Sequence, residues 1–185
     1  MNKALFLEIN SFAGHSHILD LFFIGCAEFM PYIFILAEVY LYFVANRKNE
    51  AIFAFYATLL GLFINQLIGL VYFHNRPFMD HIGTDLIHHL PDNSFPSDHT
   101  TFLFAIATSL LLYKKTRDWG KFLVILAFIG SVARIYVGVH YPFDIIGAII
   151  TGAIGAFVIL FFKGKLQKAN NLIINIEDKI LKTKR

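Results

Sequence analysis

The sequence predicts an all-α fold, a polytopic membrane helix bundle of about five transmembrane helices preceded by a short interfacial helix. Three observations carry that expectation. Of the 185 residues 57% are apolar and only 16% charged, with a mean hydropathy of +0.60, too oily for a soluble domain of this length. The apolar residues fall in stretches close to the ~20 that a helix needs to cross a hydrocarbon core of about 30 Å. The 16 Lys and Arg are concentrated in a few breaks between those stretches. The same composition disfavours disorder, a coiled coil and a nucleic-acid-binding surface, which leaves membrane lipids as the surroundings. It carries no signal of oligomeric state. The single cysteine, Cys26, lies in an apolar run and excludes an intrachain disulfide framework and a zinc site built from paired thiolates.

Taken in order, Leu5, Phe6, Ile9 and Phe12 recur at helical spacing and predict the interfacial helix. A cleavable signal peptide is not expected there, because Glu8 interrupts the apolar stretch and only Lys3 precedes it. The first span runs from about Ile18 to Ala45, and the second, Ala51 to Phe73, contains no charged residue. The third enters at Ser97 and ends at Tyr113. The fourth covers Phe122 to Val139 and the fifth Ile145 to Phe162, both rich in the Gly and Ala that let helices approach closely. Residues 1–185 read as a single domain with its core at 18–162. In the tail, 163–185, Leu166, Leu172, Ile173, Ile176 and Ile180 share one face while Lys168, Lys179 and Lys182 lie largely elsewhere, which predicts a basic amphipathic helix resting on the anionic inner leaflet.

Basic loops stay in the cytoplasm. Arg47 and Lys48 separate the first two spans, Lys114, Lys115, Arg117 and Lys121 separate the third and fourth, and seven more basic residues follow the fifth. With an odd number of spans these regions share one face. The N-terminus, the loop from His74 to Pro96 and the turn at His140 to Asp144 then lie together outside, along with all eight histidines.

Ionisable groups inside spans cost several kcal/mol unless partnered, so each is a candidate. Arg134 lies about 9 Å below the outer end of its helix at 1.5 Å per residue. Glu28 is the competing structural partner for it. Counting along antiparallel spans puts Glu28 near Asn65 and Gln66, in hydrogen-bonded packing. Three clusters converge outside: Asn75-Arg76-Pro77 after the second span, Phe95-Pro96-Ser97-Asp98-His99-Thr100 entering the third, and Arg134, His140 and Asp144 spaced R-x5-H-x3-D. Two arginines supply forked, always-charged donors suited to phosphate oxygens. Two histidines allow one to attack while the other donates a proton, and Asp144 is placed to orient His140. Ser97 as an N-cap and Pro142 in a first turn would aim two helix N-termini at the same place, an anion site in themselves. His15, His17, His74, His81, His88 and His89 read as ordinary solvated residues. His81, Asp85 and His88 or His89 make a metal site only on a helix whose face is matched by a further carboxylate.

In these residues the chain resembles the type-2 phosphatidic acid phosphatase superfamily of membrane lipid phosphatases, related to the vanadium haloperoxidases. The family pattern is K-x6-R-P, P-S-G-H and S-R-x5-H-x3-D. Over roughly Ile18 to Phe162, Arg76-Pro77, Pro96-Ser97, His99, Arg134, His140 and Asp144 match it. Gly69 stands where the lysine belongs, Asp98 replaces glycine and Ala133 replaces serine. P-S-D-H-T together with R-I-Y-V-G-V-H-Y-P-x-D is most similar to the bacitracin-resistance type of bacterial undecaprenyl-diphosphatase, in which Asp98 is expected. Asn75 and His74 are the nearest residues to stand in for the lysine.

The resemblance implies hydrolysis of a lipid diphosphate at the outer face through a phosphohistidine on His140. Asp144 would orient it, His99 would act as the acid, and Arg76, Ser97 and Arg134 would hold the phosphate, with no metal or cofactor. Phosphatidylglycerophosphate or phosphatidic acid is the alternative substrate. A histidine-rich membrane protein that binds metal ions is the alternative of another class.

Overall fold

The computed structural model of the chain describes residues 1–183, and for 181–183 the backbone alone; the tail residues Lys184 and Arg185 lie outside the described residues. Among these there are six helices: α1 (Asn2–Asn10), α2 (His17–Phe43), α3 (Lys48–Val71), α4 (Asp98–Leu112), α5 (Arg117–Tyr136) and α6 (Pro142–Thr183). No strand occurs among the described residues. Helices α2, α3, α5 and α6 are long and apolar enough to cross a membrane. The chain is thus an all-α, multi-pass membrane protein.

Helix α4 is the expected third span, and it has 15 residues. At 1.5 Å per residue that is about 22 Å, short of a ~30 Å hydrocarbon core. It can be short because it packs against α3, α5 and α6. Nine of its residues are buried, the polar Thr100, Thr101 and Ser109 among them. Thr101 ties it to α3 and α6: its hydroxyl oxygen accepts from Asn65 Nδ2 at 2.9 Å and lies 3.0 Å from the Thr151 hydroxyl. Small residues make this closeness possible. A Cβ on Gly155 would stand 2.4 Å from the Ala57 carbonyl oxygen, so α3 and α6 cross backbone against backbone.

The N-terminal helix is present, and it braces the bundle. Phe6 is fully buried, its ring edge-on to Tyr141 at 5.3 Å. Asn10 Nδ2 donates to the carbonyls of Thr84 (2.8 Å) and Tyr136 (2.7 Å), and its Oδ1 accepts from Thr84 N at 2.6 Å. The long loop between α3 and α4 is therefore pinned to the end of α5. Gly138, at φ +90°, turns the chain from α5 into α6 against the Thr84 carbonyl, where a Cβ would come within 2.4 Å. Only glycine meets both demands cheaply.

The tail is helical, and it is continuous with the last span: residues beyond Phe162 extend α6 without interruption to Thr183. Gly164 alone does not stop a helix, and no proline follows. Side chains fasten this extension to the neighbouring helices. Gln167 Nε2 donates to Asn49 Oδ1 at 2.7 Å, while Tyr42 Oη and Lys48 Nζ donate to Glu177 at 2.6 and 2.8 Å.

Candidate active site

Four segments meet at the end of the bundle opposite that network: the start of the α3–α4 loop, the start of α4, the end of α5, and the α5–α6 turn. Their sequences explain the convergence. Ser97 precedes α4 as its N-cap, its hydroxyl accepting from Thr100 N at 3.5 Å. Pro142 opens α6 with its missing N–H where none is needed. Asp144, three residues after Tyr141, reaches back to accept from Tyr141 N at 2.7 Å, as the third residue of a capping box does. The H-x3-D spacing therefore fixes the carboxylate beside His140 and caps the helix at once. Ser97 N donates to the Asp144 carbonyl at 3.3 Å, tying the two helix starts together.

His140 is 1% exposed. Its Nε2 lies 3.0 Å from Arg76 Nη1. A guanidinium nitrogen has no lone pair to offer, so Nε2 is the acceptor and the ring proton sits on Nδ1. Nδ1 lies 3.3 Å from Ser94 Oγ and 3.5 Å from Asp144 Oδ2. Burial, followed by the charges of Arg76 and Arg134 and of His99, pushes the His140 pKa well below the usual imidazole value. It is thus a neutral ring whose lone pair faces an arginine.

Arg76 is 5% exposed. Its Nε donates to Asp92 at 2.6 Å, Nη1 to the Val139 carbonyl at 2.9 Å and Nη2 to the Asn93 carbonyl at 3.4 Å. Arg134 is 3% exposed, and its Nη1 reaches the Ala27 carbonyl at 3.4 Å. Its Nε and Nη2 are buried with no partner. The alternative pairing with Glu28 is not made: Glu28 is exposed, and Asn65, once placed beside it, instead donates to Asp98 at 2.8 Å and to Thr101. A buried guanidinium with two free donors is an anion site in waiting, since an uncompensated charge there is costly. His99 is half-buried and lines a cavity of about 300 Å³ with Pro31, Leu62, Gln66, Asp98 and Phe102.

All six candidate residues, Arg76, Ser97, His99, Arg134, His140 and Asp144, are thus gathered at one end. Two further residues join them: Ser94, for which the sequence carries no signal, and His74, which is not the ordinary solvated residue that the sequence suggests. Ser94, fully buried, donates its hydroxyl to Asp144 Oδ2 at 2.5 Å, and His74 Nδ1 lies 3.1 Å from Asp144 Oδ1. The stand-ins for the missing lysine are engaged elsewhere, His74 on Asp144 and Asn75 on Asp80 at 2.9 Å. A Cβ on Gly69 would meet Asn93 Nδ2 at 3.2 Å. His89 lies 3.6 Å from Asp92, its pKa lowered chiefly by burial. The segment holding His81, Asp85, His88 and His89 forms no helix. No group of three or more metal-ligating side chains occurs among the described residues.

A family model described as the PAP2 superfamily matches residues 50–168. The chain is 34% identical over 183 residues to the undecaprenyl-diphosphatase BcrC of Bacillus subtilis (strain 168), covering 98% of this chain and 94% of the relative. Among solved structures, LpxE of Aquifex aeolicus superposes with a TM-score of 0.74 at 27% identity, over 86% of this chain and 94% of that one. The transmembrane PAP2-type phosphatidylglycerolphosphate phosphatase of Bacillus subtilis superposes with a TM-score of 0.67 at 16% identity, over 89% and 85%.

Proposed function

The chain belongs to the PAP2 superfamily, and from that premise we propose that it hydrolyses undecaprenyl diphosphate to undecaprenyl phosphate and inorganic phosphate. The observation that carries the reading is the neutral His140 whose lone pair faces Arg76. A phosphoryl group held by Arg76 lies against the nucleophile. The full-length likeness to an undecaprenyl-diphosphatase supplies the substrate.

Nε2 of His140 attacks the terminal phosphorus, and the bond to the bridging oxygen breaks. His99 gives its proton to that oxygen, and the lipid monophosphate departs. A phosphohistidine remains. His99, now neutral, takes a proton from water as the water attacks the same phosphorus, releasing inorganic phosphate and restoring His140. Arg76, the free nitrogens of Arg134, Ser97 and the N-terminal amides of α4 hold the equatorial oxygens as charge redistributes. The cavity that His99 lines carries Pro31, Leu62 and Phe102, so the leaving group's side is apolar, as a prenyl chain requires. Every proton and charge in this scheme is handled by the chain's own side chains and backbone amides, and activity is expected to survive chelation.

The basic residues in the α2–α3 and α4–α5 loops and in the tail support a cytoplasmic side for those segments and an outward-facing site. There it would serve recycling of the cell-wall lipid carrier and resistance to bacitracin. Phosphate release from undecaprenyl diphosphate by the purified protein, with and without chelator, tests this. Loss in both His99→Ala and His140→Ala is expected; retained activity in His140→Ala removes the nucleophile. Faster turnover of phosphatidylglycerophosphate or phosphatidic acid than of the prenyl diphosphate would redirect the substrate assignment.

A further inference from the structure

The separation between His140 Nδ1 and Asp144 Oδ2 is 3.5 Å, too long for a good direct hydrogen bond. Ser94 fills the gap. Its Oγ lies 3.3 Å from Nδ1 and donates to Oδ2 at 2.5 Å. Because Arg76 forces the ring proton onto Nδ1, and because the Ser94 proton is committed to the carboxylate, the geometry has one reading: Nδ1–H donates to Ser94 Oγ, and Ser94 O–H donates to Asp144. The carboxylate is clamped from its other sides by Tyr141 N at 2.7 Å and by His74 Nδ1 at 3.1 Å. It is itself fully buried.

Resting on the reading of His140 as nucleophile, we propose that Ser94 is a positioning residue that relays the Asp144 charge to the His140 ring, with His74 holding the second carboxylate oxygen. The arrangement follows from the fold. Ser94 N donates to the His74 carbonyl at 2.9 Å, so the two residues sit side by side on adjacent stretches of the loop and face α6 together. As positive charge develops on His140 during attack, the chain of donors polarises in one direction, each link strengthening the next. Ser94 touches neither substrate nor phosphorus. Its loss should therefore slow the chemical step without weakening binding.

The test is Ser94→Ala, assayed for kcat and KM on undecaprenyl diphosphate, alone and in an Asp144→Ala background. A drop in kcat of about 10- to 100-fold is expected, the size of losing a hydrogen bond to a charged partner, with KM little changed. In the Asp144→Ala background the further loss of Ser94 should change nothing, because there is no charge left to relay. Wild-type kcat in Ser94→Ala overturns the proposal, as does the full loss appearing again in the double variant. A fall in kcat/KM through KM alone also overturns it, since that marks phosphate binding. The pair Ser94→Thr and Ser94→Val guards against a folding defect: the two share a shape and differ by the hydroxyl, and equal activity in both overturns the relay. His140→Ala is run beside them. Activity surviving there refutes the nucleophile, whereas an inactive His140→Ala with a fully active Ser94→Ala refutes the relay alone.

Discussion

Arg134 carries a charge at 3% exposure with two unpartnered nitrogens. Lysine in its place keeps the charge and loses the planar fork. Arg134→Lys is expected to lower kcat/KM about 100-fold, the scale of removing one preorganised donor from a developing charge, and steady-state kinetics on undecaprenyl diphosphate check it. The pH dependence follows from His140. Its pKa is depressed by burial and by the two arginines, so the ring stays neutral as pH falls through ~6.5, the ordinary imidazole value. The acid limb of the kcat/KM profile should therefore lie below that value; a limb at or above ~6.5 removes the neutral, buried nucleophile. Stability has the matching sign. The unfolded chain takes up a proton on His140 below ~6.5 and the folded chain does not, so the melting temperature should fall from that pH downward and fall less in His140→Gln. Arg76, Ser97, His99, Arg134, His140 and Asp144 were legible because proline, capping and spacing signals accompany them. Ser94 and His74 were not. A serine and a histidine in a loop carry no periodicity, and their meaning arises only when the fold sets them against a carboxylate 50 and 70 residues away.

At the scale of elements, hydropathy located the spans to within a few residues, and it misjudged how they end. α5 begins at Arg117 and α6 runs through to Thr183, because charged residues leave the hydrocarbon without leaving the helix. Hydropathy marks a membrane boundary; only proline, glycine and unsatisfied caps mark a helical one. The packing of α3 on α6 hangs on the same distinction between composition and contact. Gly155 is one small residue among many in α6, but it alone faces the Ala57 carbonyl at a distance no side chain tolerates. Gly155→Val is expected to destabilise the protein by about 1–3 kcal/mol through overpacking, read as a lower melting temperature in detergent. The same change at Gly25 or Gly164, where nothing lies within 4 Å of the added Cβ, should shift it far less.

For the whole molecule, the asymmetry of charge becomes a statement about orientation that labelling can check. In a Cys26→Ser background, His88→Cys lies on the exposed loop at the site end and Lys168→Cys on the exposed extension of α6. An impermeant maleimide should label the first in intact cells and the second only after permeabilisation; the reverse pattern inverts the proposed topology. The shortness of α4 bears on how a lipid reaches the site at all. Asp98, at its first residue, is bonded to Asn65, six residues before α3 ends at Val71, which sinks the start of α4 about 9 Å beneath the end of its neighbour. A diphosphate bound there would be drawn down toward the level of its own prenyl tail, and the greasy portion would not need to climb into water for the phosphates to be cut. On that geometry the bundle would lower the reaction toward the membrane instead of lifting the substrate out of it.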